Sequence, residues 1–558
     1  MHSNFNNPET IKNSLRPWQL HLIVSLFFIV FLNFSFWTEV SQILNPSSII
    51  NLLMLASVFI FILLVINLVL NILCFKFSYK YIYPLVFIGS ALSLYFIKEY
   101  HIVIDRDMIQ NLVETNPAEA KDFINFSIIL YVLILGILPS IFILKTKILF
   151  GSLKSELFIK LKIFLLSISA ISCLLYISYP TYASLARNQR HLSHMIVPTN
   201  YIFAGISYLQ HQIKSAQTPF ETLSEDVSLN NFWDRINNKT VLVLVLGETA
   251  RADHMSLNGY QQQTTPNLAK RELINFENVQ SCGTSTAAAL PCIFSHQNRE
   301  NFSKNKAKNS ENLLDFLAKA GFSVQWRDNN TGCKGICNRV DFIDLTHEND
   351  SQLCQTEECF DEILLSQLTD QIKNNPNNQV IVLHQKGSHG PSYYLRYPSE
   401  FNQFQPTCTT NELQKCNKNE LSNSYDNTIL YTDYVLNKVI QLLDDLPKEY
   451  NSSMVYISDH GESLGENNIY LHGTPYFMAP DAQTHVPFFM WFSNPFLDDF
   501  AINQNCLQQK QQMALSHDNY FHSILGLMHV NTKHYDAEKD IFNSCQQILL
   551  NTTASVTQ

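Results

Sequence analysis

Five apolar runs, at about residues 19–40, 49–74, 82–98, 124–144 and 159–179, dominate the first third of this 558-residue chain. Each approaches the roughly 20 residues needed to cross a bilayer. Buried core helices of a soluble protein are the competing reading, and the basic residues decide against it. Lys12 and Arg16 precede the first run, Lys76 and Lys80 lie between the second and third, and Lys145, Lys147, Lys154, Lys160 and Lys162 crowd the fourth-to-fifth connection. Lys and Arg mark cytoplasmic loops, so the charge pattern is consistent with five spans whose odd number puts everything after residue 179 outside the cytoplasm. The first run is too long for a signal peptide and lacks a small-residue cleavage site, so it reads as a retained anchor.

The rest of the chain has the polar mixture of a soluble domain. A formal net charge of -10 argues against nucleic acid as a partner, because binding phosphate backbones takes clustered Lys and Arg. Cys74 and Cys173 lie in or beside apolar runs, while the other ten cysteines follow residue 280. The close pairs Cys282/Cys292, Cys333/Cys337, Cys354/Cys359 and Cys408/Cys416 read as disulfides in an oxidising compartment. A thiolate metal site at Cys333 and Cys337 is the alternative, but no pair has the two-residue spacing of zinc ribbons. Whether Cys506 and Cys545 form a fifth bridge is left open by the sequence.

Three regions are expected: a membrane domain over 1–179, a connector lying on the membrane surface over 180–237, and a catalytic domain over 238–558. In the last, TVLVLVLGE (240–248), VIVLHQKGSHG (380–390) and SMVYISDHGE (453–462) are apolar runs ending in polar groups, as central strands buried on both faces would be. ENLLDFLAKAGF (311–322) and YTDYVLNKVIQLLDDL (431–446) have helical spacing. The alternation predicts an α/β sandwich with its site beyond the carboxyl ends of the strands. Asn-rich stretches at 294–310, 366–379 and 409–424 read as solvated loops. Between the third and fourth spans, Asn111, Thr115 and Glu119 recur every four residues, on one face of a helix. Spacing alone assigns that stripe to the wet side of an interfacial helix.

Glu248 ends one expected strand, and Asp459 and His460 end another. A carboxylate in such a place is costly unless something positive holds it, and two carboxylates with an imidazole match the oxygen and nitrogen ligands of zinc. Either segment alone would read as a structural salt bridge. SCGTSTAAALPC (281–292) puts Thr286 before a run of Ala. A threonine there caps a helix, and the same backbone N–H groups would face an incoming phosphate, where a metal could favour the alkoxide. His389 in GSHGPSYY and His472 in YLHGTP sit beside Gly in turns, where near a metal they could hold phosphate oxygens or protonate a leaving alkoxide.

GETARADH, SCGTST ending in PC, GSHGP, and SDHGESLGE followed by YLHG together resemble the lipid A phosphoethanolamine transferases, the family that includes the transferable colistin-resistance enzymes. The resemblance implies a five-helix membrane domain plus an α/β/α sandwich of alkaline phosphatase and sulfatase type. It implies that Glu248, Thr286, Asp459 and His460 hold zinc, at least one ion, with Thr286 also the nucleophile that becomes modified. His389, His472 and the nearby Glu462 would surround the transferred phosphate. Asn111, Thr115 and Glu119 would recognise the ethanolamine head group, which replaces the reading from spacing. Thr284, Asn330 and Lys334 would line the donor pocket, with Lys334 bracketed by Cys333 and Cys337. The implied reaction moves phosphoethanolamine from phosphatidylethanolamine to lipid A phosphate at the inner membrane, by a monomer among membrane lipids, and protects against polymyxin. The rivals are the same reaction on core heptose, a Kdo sugar or a surface glycan, a phosphoglycerol transferase or sulfatase, and a non-catalytic lipid-binding membrane protein.

Overall fold

The computed structural model describes residues 14–546 except 116, 190, 349 and 355–357. It divides into two compact units. The first runs to Ile109 and resumes at Ile124–Gln210; the second is Gln110–Phe123 with the chain from His211 onward.

In the first unit, α1 (Pro17–Leu32) and α2 (Phe34–Leu44) are followed by α3 (Ile49–Leu73) and α4 (Tyr79–Tyr100). The segment α5 (Arg106–Glu114) straddles the division at Ile109, and α6 (Pro117–Asp122) lies in the second unit. Back in the first, α7 (Phe126–Lys145) and α8 (Leu153–Ile177) follow. Four of these, α3, α4, α7 and α8, are each long and apolar enough to cross a membrane. Long side chains such as Leu52, Leu53, Phe142, Leu157 and Phe158 remain exposed on them, as lipid-facing positions would be.

The first apolar run is not the single straight span its composition predicts: α1 and α2 meet at 69°. The break falls at buried Asn33, whose amide donates to the carbonyls of Phe28 at 2.9 Å and Val197 at 2.8 Å and accepts from the Val197 N–H at 2.9 Å. The side chain thereby supplies the partners the backbone gives up at the bend. If the bent pair crosses as one span, the unit has five.

The second unit is built on a seven-stranded sheet: β1 (Lys239–Gly247), β2 (Ile274–Phe276), β3 (Ser323–Asp328), β4 (Asp341–Asp344), β5 (Gln379–His384), β6 (Tyr450–Ser458) and β7 (Phe488–Phe492), in the order β2-β7-β6-β1-β5-β3-β4. All neighbours are parallel except β6 with β7 and β7 with β2. Val241–Gly247 and all of β6 are buried, as a centre covered on both faces requires. Register places Gly247 opposite Ser458, so the two strands finish level.

All three expected loops are partly helical, the first over Lys304–Lys308. Residues 418–424 open a long helix that runs over Lys418–Asp444, because Asn417 accepts from the Glu420 N–H at 3.0 Å while the Glu420 carboxylate accepts from the Asn417 N–H at 2.9 Å. Leu368–Asn374 is the third. Five disulfides form, Cys282–Cys292, Cys333–Cys337, Cys354–Cys359, Cys408–Cys416 and Cys506–Cys545, and Cys74 and Cys173 stay free.

Candidate active site

Because β1 and β6 are neighbours ending level, Glu248 and Asp459 emerge side by side, with His460 next to them. Their ligand atoms lie within 4.8 Å of one another, and all three residues are buried. The Asp459 Oδ1 is taken by the N–H groups of Thr249 at 3.2 Å and His460 at 2.8 Å. The His460 Nδ1 donates to the Gly461 carbonyl at 2.9 Å, which leaves a lone pair on Nε2. That Nε2 is 3.4 Å from Glu248 Oε1 and 3.4 Å from Asp459 Oδ2, and none of the three atoms has a hydrogen-bond partner.

Three buried acceptors aimed at one point need a cation between them. Two carboxylate oxygens and an imidazole nitrogen suit zinc, so the residues fit the ion. The charges agree. Burial, and then Glu248, push Asp459 well above the usual carboxylate range. Burial would raise Glu248 also, but His460, His389, His472 and His384 hold it at about 2. His460 is lowered to about 3 by burial and by His472.

Thr286 opens the helix α9 (Thr286–Ile293), within the Cys282–Cys292 loop. Its hydroxyl donates to Glu248 Oε2 at 3.0 Å, and the first turn of its helix leaves N–H groups without helical partners. The same Glu248 oxygen accepts from the Asn330 amide at 2.8 Å, which also donates to the Gln385 carbonyl at 2.8 Å. Behind Asn330 stands His384, its Nε2 3.3 Å away and its Nδ1 2.7 Å from Asp328 Oδ1, which the Trp326 indole also reaches at 2.9 Å. Gly387, at φ 53°, passes so close that a Cβ would lie 2.6 Å from the Glu248 carbonyl oxygen.

His472 Nδ1 is 2.9 Å from Glu462 Oε2, and the other oxygen of Glu462 accepts from the Tyr393 hydroxyl at 2.8 Å. Burial would lower His472, but Glu462 raises it to about 9, so its ring is an imidazolium at neutral pH. The ring centroid of His472 is 4.6 Å from that of His460 and 5.4 Å from that of His389. His389 Nε2 is 3.2 Å from Glu119 Oε1. Burial would raise that carboxyl, while His389, Lys386 and His472 hold it at about 2.

Asn111, Thr115, Glu119, Thr286, Lys334, His389 and His472 line one small cavity. Asn111 does so from α5 and Glu119 from α6, with Thr115 in the gap between them, since α5 ends at Glu114 and α6 begins at Pro117. Asn330 lies at Glu248 and Glu462 behind His472. Thr284 spends its hydroxyl on the Thr474 carbonyl at 2.7 Å. Lys334 donates to Thr331 Oγ1 at 2.9 Å. Glu114, which also lines the cavity, escaped the sequence reading although it sits three residues from Asn111 on the same helix. Tyr393, His384 and Asp328 escaped it too. Tyr393 lies within GSHGPSYY and His384 within VIVLHQKGSHG, but neither segment marked them for a role, and Asp328 lies in no such segment.

Residues 240–530 match the sulfatase family, and residues 62–213 match the family described as phosphoethanolamine transferase EptA/EptB. Phosphoethanolamine transferase EptA of Escherichia coli strain K12 is 41% identical over 531 residues, 94% of this chain and 97% of that protein. Phosphatidylethanolamine transferase Mcr-1 of Escherichia coli is 36% identical over 86% of this chain and 90% of its own length. The solved structure of the integral membrane lipooligosaccharide phosphoethanolamine transferase A from Neisseria meningitidis matches with a TM-score of 0.91 and 37% identity, over 96% of this chain and 100% of that one.

Proposed function

Since this chain belongs to the phosphoethanolamine transferase family and its larger domain to the sulfatase family, we propose that it moves phosphoethanolamine from phosphatidylethanolamine to a lipid A phosphate through a modified Thr286. It is a multi-pass inner-membrane protein with its catalytic domain in the periplasm.

The observation that carries the reading is the Thr286 hydroxyl, at a helix N-terminus, 3.0 Å from Glu248 Oε2 and beside three buried atoms that want a cation. Zinc held by Glu248, Asp459, His460 and Thr286 would favour the threonine alkoxide and offset charge on the phosphoryl oxygens. The Thr286 hydrogen bond to Glu248 fixes the Oγ that attacks phosphorus. A P–O bond to Thr286 forms, and the one to diacylglycerol breaks. His472, held protonated by Glu462, delivers a proton to the departing alkoxide. The free N–H groups of α9 face the phosphoryl oxygens. Asn111 and Thr115 offer the ammonium neutral acceptors and Glu119 a negative one. An oxygen of the acceptor phosphate then attacks and yields its proton to the His472 left neutral by the first step, the P–O bond to Thr286 breaks, and Oγ recovers from Glu248 the proton it passed along their hydrogen bond when it attacked.

An added ammonium group lowers the negative charge of the outer surface, so cationic peptides bind it less. The test is the mass spectrum of lipid A from a polymyxin-sensitive Gram-negative host making this protein or its Thr286→Ala variant. A phosphoethanolamine increment with the parent alone is expected. Unmodified lipid A beside folded, zinc-loaded parent would overturn the acceptor and send the search to core sugars and glycans.

A further inference from the structure

We infer that a second, larger cavity beside the catalytic one receives the sugar of the acceptor. This rests on the transferase reading and deepens it. The cavity measures about 570 Å³, within the size range of small-molecule sites. Its walls include Tyr394 and Tyr397, and Ser399, Asn402 and Thr409 offer hydroxyl and amide groups at exposed positions.

The charged groups narrow the ligand. Lys386 Nζ is 2.6 Å from Glu358 Oε1, while the Arg396 guanidinium pairs with both Glu358 and Asp122 and donates from Nε to the His389 carbonyl at 2.8 Å. With Lys121 and Asp361 the lining holds three cations and three carboxylates, so the cavity has no surplus positive charge for a bare phosphate. Buried ion pairs equally disfavour an acyl chain. A pyranose ring fits both constraints, with apolar C–H faces for the tyrosines and hydroxyls for the amide, hydroxyl and carboxylate groups.

Position ties the cavity to the chemistry. Two segments wall both spaces. Glu119 faces the catalytic cavity while Lys121 and Asp122 face the larger one; His389 faces the catalytic cavity while Lys386 and Arg396 face the larger one. A phosphorylated sugar reaching Thr286 with its phosphate would thus have its ring next door.

The test uses the full chain in detergent micelles, with β-1,6-linked glucosamine disaccharide as the probe, read by saturation-transfer NMR and calorimetry. Thr409→Trp, which fills the cavity, and Tyr394→Ala should each weaken binding at least about tenfold. Diacylglycerol release from phosphatidylethanolamine without acceptor should persist in both. Absence of disaccharide binding by the parent, undiminished binding by both variants, or equal loss of diacylglycerol release would overturn the assignment. Tighter binding of heptose than of the disaccharide would uphold a sugar site and change the acceptor. A parent that binds sugar but releases no diacylglycerol would uphold the cavity and refute the transferase reading.

Discussion

His389 Nε2 lies 3.2 Å from Oε1 of Glu119, a residue 270 positions earlier in the chain that folds with the catalytic unit although the helices before and after its segment belong to the other. Asp122, three residues on, pairs with Arg396 in the same way, and Asn411 donates to the Asp122 carbonyl at 2.5 Å. Charge therefore pins Gln110–Phe123 to the catalytic face.

That attachment should depend on pH. The folded-state value of Glu119, about 2, lies below its ordinary 4.5. An acid depressed on folding contributes stability in full above its unfolded value and loses it as pH falls toward the folded one. Hydrogen exchange over residues 110–123, corrected for intrinsic rates, should therefore speed up as pH drops from 5 toward about 2, and Glu119→Gln should flatten that dependence. Unchanged protection over this window would contradict the pairing.

The imidazolium role of His472 predicts an alkaline limb. Transfer should fall as pH rises through about 9, where the ring loses its proton. Glu462→Gln removes the group that holds the value up, so the limb should move to lower pH. His472→Gln should cost about 10² to 10⁴ in rate and abolish the limb. A limb that stays put in Glu462→Gln would assign the proton elsewhere.

Metal and nucleophile should separate. Asp459→Asn and Glu248→Ala should lose zinc, measured by elemental analysis, along with activity. Thr286→Ala should keep zinc through the other three ligands and lose only the phosphoethanolamine adduct on the protein, seen by intact mass. Chelation of the parent should lower its melting temperature, because an ion bound only by the folded state stabilises it.

The buried row Asp328, His384, Asn330, Glu248 reaches the site from behind. Partners of this kind orient a ligand, and their loss lowers metal affinity about 10- to 100-fold. His384→Ala should do so in a zinc competition titration while leaving the fold of the metal-free protein intact by circular dichroism. Equal affinity in parent and variant would reduce the row to packing.

Much of this was legible in the sequence. Glu248, Asp459 and His460 each follow an apolar run of strand length, and the structure puts all three at strand ends. Period and composition found α3, α4, α7 and α8 in the same way. Other features depend on contacts that no local pattern encodes. His384 closes an apolar run and looks like any strand residue until Asp328 and Asn330 are seen beside it. Asn33 sits in a stretch apolar enough to hide one polar break whose partner, Val197, is 164 residues away. The helix start at Lys418 was signalled by Asn417 and Glu420, but the surrounding Asn-rich composition argued for a loop.

Glu248 and Asp459 leave adjacent strands but are separated by 211 positions along the chain. A nascent polypeptide crossing the membrane therefore exports its threonine and first carboxylate long before the second, and no partial product can assemble the centre.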